Sequence, residues 1–318
     1  MDKHYKTVSV LVAVFEPNLV WFGQLLRSIQ RQSFQDYEVL IMDDGSVQVE
    51  YADIVKTVDQ VFGKQKRVSV MRSDRNEGSD KTFEKLVLLA HGEFVAFCDQ
   101  DDIWETQKLW RLVAKIRRSG AVLAYSDMSV MNENGRLVYP SLRSLRVCLN
   151  YVSGSHLTAM YVMENCTASC SMLVRREYVQ RAMPFYEGVY CDQWICALAA
   201  AFGTVAFVDL PLVRYRRHSD NQTGTLRQIQ SRQDYYDKRV LPAYGLVLEM
   251  KKRGIHYKYE TDIQAFVRAR KNMDIPRIWK YRKYNKKYAY FDIFMFCMPK
   301  SLVRWLFKIL QSKGRASG

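Results

Sequence analysis

Short apolar runs alternate with stretches of helical spacing along the first hundred residues. Residues 8–15 (VSVLVAVF) are apolar and rich in β-branched side chains, which predicts a strand buried on both faces of a sheet. Glu16-Pro17-Asn18 interrupts that run. Over residues 19–32, Leu19, Phe22, Leu25, Leu26 and Ile29 recur on one helical face. The same reading predicts strands over 37–42, 67–71 and 93–98, separated by helices over 51–62 and 79–91. In the last of these, Phe83, Leu86, Val87 and Ala90 share a side. Strand and helix in alternation predict an α/β domain with a mostly parallel sheet flanked by helices. Further on, the pattern predicts a strand over 121–127 and a hairpin turning at Asn132-Glu133-Asn134-Gly135. Helices over 176–182 and 194–201 and a last strand over 205–208 follow, while residues 141–165 show no readable period. Past residue 225 the pattern is helical, over 226–250, 261–271 and 300–310.

Charge also sets the C-terminal part of the chain apart. The net charge is +15 over 318 residues, yet the 30 basic residues before Lys251 meet 29 acidic ones. From Lys251 onward, 18 Lys and Arg face 4 Asp and Glu. The reading is therefore a near-neutral domain over 1–224 and a basic helical extension over 225–318. In the helix expected over 300–310, Lys300, Arg304 and Lys308 fall on one face and Leu302, Val303, Leu306, Ile309 and Leu310 on the other. A basic amphipathic helix after an aromatic-rich stretch suits an anionic membrane surface. No nucleic-acid-binding motif accompanies the charge, so nucleic acid is not expected as a partner. Seven scattered cysteines without a CxxC pair argue for reduced thiols and against structural zinc. A polar N-terminus that leads directly into a strand predicts no signal peptide, and no apolar run is long enough to span a bilayer.

Chemistry gathers at two strand ends. The run over 93–98 stops on Asp99-Gln100-Asp101-Asp102, and the run over 37–42 stops on Asp43-Asp44-Gly45-Ser46. One Asp ahead of Trp104 would be a helix cap, but three crowded carboxylates repel unless a cation compensates them. A divalent ion with oxygen ligands is the natural compensator. In open α/β sheets, ligands sit beyond the carboxyl ends of strands, so both acidic ends should converge on one edge. No GxGxxG loop follows the first strand, which removes a dinucleotide-binding reading.

Three segments together, VSVLVAVF through IMDDGS, then RNEG, then GEFVAFCDQDDIW, resemble the glycosyltransferase family two domain over roughly residues 7–220. The resemblance implies the nucleotide-sugar-binding fold called GT-A. The DQDDIW form is most similar to bacterial rhamnosyltransferases of cell-surface polysaccharide assembly. It implies that Asp44, supported by Asp43, meets the base and ribose, with Phe15 and Glu16 bordering the base. Arg75, Asn76 and Gly78 would lie near the nucleotide or donor sugar. Asp99 and Asp101 would be the DxD pair around Gln100, with Asp101 directly on Mg²⁺ or Mn²⁺ and Asp99 shared with the ribose side. His218 of PLVRYRRH would reach the metal or diphosphate, and Arg214, Arg216 or Arg217 would neutralise phosphate. Asp192, ordinarily readable as a helix cap, would be the catalytic base, although Cys191 stands where the family often has Glu or His.

The implied activity is inverting, metal-dependent transfer of a sugar to a hydroxyl of a lipid-linked or polysaccharide acceptor. The expected donor is dTDP-rhamnose, with UDP-sugars as the alternative. The expected location is cytoplasmic and peripheral, on the inner face of the cell membrane. Two rival readings remain at this level. A sugar nucleotidyltransferase would need a Gly-rich basic loop where Phe15-Glu16-Pro17-Asn18 stands. A non-enzymatic membrane or nucleic-acid-binding scaffold would use its Asp clusters only as caps.

Overall fold

The computed structural model describes residues 6–145, 150–218, 229, 231–299 and 301–303. Four strands open the chain: β1 (Val8–Val14), β2 (Tyr37–Asp43), β3 (Val68–Arg72) and β4 (Phe94–Cys98). The helices between them are α1 (Leu19–Gln30), α2 (Tyr51–Phe62) and α3 (Ser79–Leu89). The break at 16–18 works through Asn18, whose side chain accepts from the Val20 and Trp21 N–H groups and caps α1. All four strands are parallel, in the order β3-β2-β1-β4.

After β4 the sheet becomes mixed. The later strands are β5 (Ile103–Trp104), β6 (Leu123–Met131), β7 (Leu137–Tyr139), β8 (Met172–Arg175) and β9 (Val205–Arg216). The nine-stranded sheet continues β4-β8-β6-β9-β5, with β7 paired to β6. Strand β8 lies antiparallel between β4 and β6, whereas β6 and β9 are parallel. The accompanying helices are α4 (Lys108–Ser119), the short α5 (Leu142–Leu145) and α6 (Thr158–Met163), then α7 (Arg176–Ala182) and α8 (Cys191–Phe202).

Several elements differ from the pattern-based reading because pairing across the chain overrides local signals. Trp104 does not begin a helix. Ile103 and Trp104 pair with Arg214 and Val213 of β9, and α4 starts only at Lys108. Strand β9 runs on to Arg216 because β6 offers it a partner as far as Met131. Segment 172–175, for which the pattern predicts no strand, is a full strand held on both sides. Helix α8 begins at Cys191, three residues earlier than its apolar period suggests.

The side-chain alternation of β1 builds two layers. Val8, Val10 and Val12 face a core with Phe22, Leu25 and Ile29 of α1 and Leu109 and Leu112 of α4. Leu11 faces the opposite layer, with Phe83 and Leu86 of α3 and Trp194 of α8. Among the later helices α9 (Arg232–Tyr235), α10 (Leu241–Lys252), α11 (Glu260–Lys271), α12 (Ile275–Tyr281) and α13 (Lys286–Cys297), the last four join this second layer, while Tyr235 of α9 is buried in a small separate cluster with Val240 and Met295. Leu246, Phe266, Ile278 and Ala289 are buried in the same cluster as Trp194. Each fully buried large apolar side chain of this kind contributes about 1.5–3 kcal/mol. The amphipathic helix expected over 300–310 falls mostly outside the described residues, of which 301–303 are helical. The six cysteines among the described residues are free thiols. No helix among the described residues is long and apolar enough to cross a membrane.

Candidate active site

Strand register fixes where the acidic ends lie. Strand β1 is flanked by β2 and β4, with Val14 opposite Asp43 and Val12 opposite Cys98. Asp43-Asp44 and Asp99 therefore leave the sheet at one carboxyl edge, on either side of Phe15. The two acidic ends share that edge.

Interlocked loops form the first wall. The Gln100 side chain accepts from the Phe15 N–H at 2.8 Å and donates to the Phe15 carbonyl at 2.9 Å, tying the ends of β1 and β4 together. Glu16, at φ 44°, accepts backbone N–H groups from Val47, Gln48 and Val49 at 2.6, 3.0 and 3.0 Å. The N–H groups of Gln48 and Val47 hold its carboxyl below the usual carboxylate range. Buried Asp43 accepts from Ser46 and pairs with Arg72 at 3.3 Å. Asp44 accepts the Gly78 N–H at 2.8 Å and the Glu77 N–H at 3.1 Å, anchoring the turn before α3. Asn76 caps the same Gly78 N–H at 2.9 Å. Gly45 makes this approach possible. Its φ is +74°, and a Cβ there would lie 2.6 Å from the Arg75 carbonyl carbon. Phe15 stands exposed beside these loops, and Arg75 is on the exposed face of the same turn.

The acidic centre is the second wall. Asp101 meets His218 at 2.5 Å (Oδ2 to Nε2), and the imidazole lies 5.2 Å from the Trp21 ring. Burial and the neighbouring Asp101 push the Asp99 carboxyl up to about 7. Asp102 is fully buried. One of its oxygens accepts the Arg216 N–H at 3.0 Å, and the other has no hydrogen-bond partner. Burial, then repulsion from Asp101 and Asp99, pushes its carboxyl well up. Neither Asp101 nor Asp102 caps α4, whose cap position is Gln107. Arg216 is buried, donating to the carbonyls of Asp101 and Glu133 and to Gln24. It braces the acidic loop from behind, and Arg214 is paired with Glu105 at 2.6 Å.

Oxygens of Asp99 and Asp102 and the Cys170 sulfur lie within 4.8 Å of one another. Burial raises the Cys170 thiol well above its ordinary value, so it stays protonated and is a poor partner for a hard cation. Behind them Lys108 is fully buried, donating to the Cys170 carbonyl at 2.6 Å and lying 3.1 Å from the Trp104 ring centroid. Burial lowers its ammonium to about 8. Lys108 was not anticipated. It belongs to the amphipathic pattern of α4, and nothing in that pattern marks it as facing inward.

The third wall is the start of α8. Asp192 lies in its first turn, buried, with Oδ1 accepting the Asn165 side-chain N–H₂ at 2.7 Å and the Gln193 N–H at 2.6 Å. Asp192 lies near enough to Asp99 for its charge to help raise that carboxyl, after burial and Asp101. Asp80, in the first turn of α3, meets Cys191, and burial raises its carboxyl. The N-terminal ends of α3 and α8 thus meet at Asp80 and Cys191. Asn165 and Asp80 were both missed, because their roles arise from contacts across the chain.

Comparisons with known proteins agree with this geometry. Residues 9–180 match the family model described as "Glycosyl transferase family 2". An "Uncharacterized glycosyltransferase alr2836" of Nostoc sp. is 24% identical over 67% of this chain and 66% of its own length. A "UDP-Glc:alpha-D-GlcNAc-diphosphoundecaprenol beta-1,3-glucosyltransferase WfgD" of Escherichia coli is 21% identical over 47% of this chain and 52% of its own. A "Putative teichuronic acid biosynthesis glycosyltransferase TuaG" of Bacillus subtilis is 26% identical over 39% of this chain and 49% of its own. The matches thus span from about half to two thirds of the length of these relatives. Among solved structures, S. aureus TarS 1-349 in complex with UDP-GlcNAc superposes with a TM-score of 0.59 at 18% identity, over 82% of this chain and 71% of that one. That likeness extends to the GT-A fold. With the family model covering more than half of its residues, this chain belongs to glycosyl transferase family 2.

Proposed function

We propose that this protein is an inverting glycosyltransferase of cell-surface glycan synthesis, moving a sugar from a nucleoside diphosphate to an acceptor hydroxyl. The observation that carries the reading is the convergence of Asp44, Asp99 and Asp101 on one sheet edge, with the charge of Asp192 near enough to act on Asp99. The names of WfgD and TuaG support a cell-surface glycan as product. The UDP-Glc in the name of WfgD and the UDP-GlcNAc bound by TarS favour a UDP-linked sugar over dTDP-rhamnose.

The loops on the Asp43-Asp44 side form a preorganised wall for the base and ribose. Asp44 and Glu16 already hold backbone N–H groups, so on this reading they shape the wall, while exposed Phe15 borders the base. Arg75 and Asn76 would lie toward the donor sugar. The acidic centre suits Mg²⁺ or Mn²⁺: crowded carboxylates, one with an unpartnered oxygen, need a cation, and their oxygens are hard ligands. Asp99 and Asp101, at the cleft surface, would hold the ion, with His218 beside Asp101. Such an ion would stabilise the charge developing on the diphosphate leaving group. Asp192 would take the acceptor proton as the hydroxyl attacks the anomeric carbon, and a single displacement without an enzyme nucleophile inverts the configuration. Asp102 and Arg216 would keep the acidic loop in place.

The acceptor would be a lipid-linked glycan reached from the inner face of the membrane. An exposed aromatic and basic surface on α12 and α13 supports this. Trp279 is 51% and Tyr290 49% exposed, their rings 6.0 Å apart, with Arg282 stacked 4.2 Å over Trp279. Lys280, Lys283 and Lys286 lie in the same stretch.

A panel of nucleotide sugars tested with Mn²⁺ by thermal shift and product analysis checks the proposal. One donor should stabilise the protein by a few degrees and give product of inverted configuration. Stabilisation by none of them, with or without Mn²⁺, would refute the reading.

A further inference from the structure

Residues 164–167 run between two partners. On one side they meet the first turns of α8. Asn165 donates its N–H₂ to Asp192 at 2.7 Å, and its carbonyl oxygen accepts the Thr167 hydroxyl at 3.2 Å. Thr167 in turn meets the Cys196 sulfur at 2.9 Å. Asp192 and Cys196 are one turn apart, on the same face of α8. The segment is thus fastened along that face at two points. The amide orientation of Asn165 is fixed as well, because its oxygen faces a hydroxyl and its nitrogen faces a carboxylate.

On the other side the segment is gripped by the C-terminal helices. The Glu164 carboxyl is fully buried, and it receives Lys287 Nζ at 2.7 Å and the Asn285 side-chain N–H₂ at 3.4 Å. Asn150 donates to it as well, at 2.7 Å. Asn285 is also the N-cap of α13, accepting the Tyr288 N–H. A buried carboxylate is tolerated only with such partners, so its position follows theirs. The residue next to Glu164 is the one that holds Asp192.

We infer that Asn165 is a positioning residue for Asp192, and that the first turn of α13 sets its place through Lys287 and Glu164. The basic C-terminal region is then a working part of the acceptor half of the site in addition to any membrane contact. Asn165 aims the carboxylate of Asp192 through its N–H₂ donor, and Lys287 neutralises the neighbouring Glu164. This inference rests on Asp192 being the base.

The test is steady-state kinetics of full-length variants with the donor identified by the panel, each variant first checked for a native circular dichroism spectrum. Asn165→Asp is isosteric, keeps an acceptor for Thr167, and faces Asp192 with an oxygen in place of the N–H₂. It should lower kcat about 10- to 100-fold with donor KM within about twofold. Lys287→Met should lower kcat about fivefold at unchanged donor KM, and Lys287→Arg should restore it. A purely structural role would reduce the yield of folded protein and leave kcat per folded molecule intact. Wild-type kcat in folded Asn165→Asp would overturn the positioning role, and wild-type kcat in Lys287→Met would overturn the C-terminal coupling. Asp192→Asn separates the two layers of the argument. If it retains turnover, the base assignment itself has failed. If it is inactive while the Asn165 and Lys287 variants are unaffected, only the present inference has failed.

Discussion

The two halves of this site are assembled differently. The donor half, from β1 to β4, is made of short motifs at strand ends, which contacts such as Gln100 to Phe15 and Asp44 to Gly78 tie together. Asp43 bonds Ser46, Asn76 bonds Gly78, and the acidic centre is four consecutive residues. The acceptor half is made of contacts that span the chain. Asn165 reaches Asp192, and Glu164 reaches Lys287. The contrast teaches that a nucleotide wall can be written as short motifs on a parallel sheet, while an acceptor wall is created by packing. Damage should follow the same division. Changes in the donor half should alter nucleotide binding, and changes in the acceptor half should alter turnover at unchanged nucleotide affinity.

The largest expected effect tests that division from both sides. Asp192→Asn should lower kcat by about 10³-fold or more while donor affinity stays near wild type, as measured by turnover and calorimetry. Asp101→Ala should abolish Mn²⁺-dependent stabilisation by nucleotide in thermal shift. If both variants lose nucleotide binding alike, the two halves are not separable. Next in size is Gly45→Val. A side chain there collides with the Arg75 backbone at a left-handed φ, so the variant should lose about 2–4 kcal/mol in denaturant unfolding and bind nucleotide poorly. Lys287→Met leaves the buried Glu164 carboxylate without its cation. Because Lys287 is itself 37% exposed, the loss should be smaller, about 1–2 kcal/mol, seen as a lower Tm with nucleotide affinity retained. The mildest effect on the fold should come from Trp279→Ala with Arg282→Glu. These should weaken co-sedimentation with anionic vesicles and leave soluble-acceptor turnover unchanged.

The donor half was also the legible half. The β-branched run of β1 and the helical faces of α1 and α3 marked their elements closely, with Phe83, Leu86, Val87 and Ala90 all buried. Parallel strands with acidic ends are enough to place those ends on one edge, since register carries them there. What periodicity missed was set by tertiary partners. Ile103-Trp104 became a strand because β9 was beside it, and β8 was inserted antiparallel where the chain offered only a short apolar run. The C-terminal region read as a basic appendage because its charge is conspicuous. Its buried residues, Phe266, Ile278 and Ala289, are thinly spread among lysines and tyrosines, yet they share a core with Trp194. The Lys287–Glu164 contact cannot be seen in a sequence, since neither residue stands in a motif.

The most direct test of the account is calorimetric titration of the chosen nucleotide sugar, in Mn²⁺, into Asp192→Asn, with product formation followed on the same samples. The account predicts wild-type affinity for the donor and no transfer to acceptor. Transfer at the wild-type rate, or loss of donor binding in a folded variant, would contradict it.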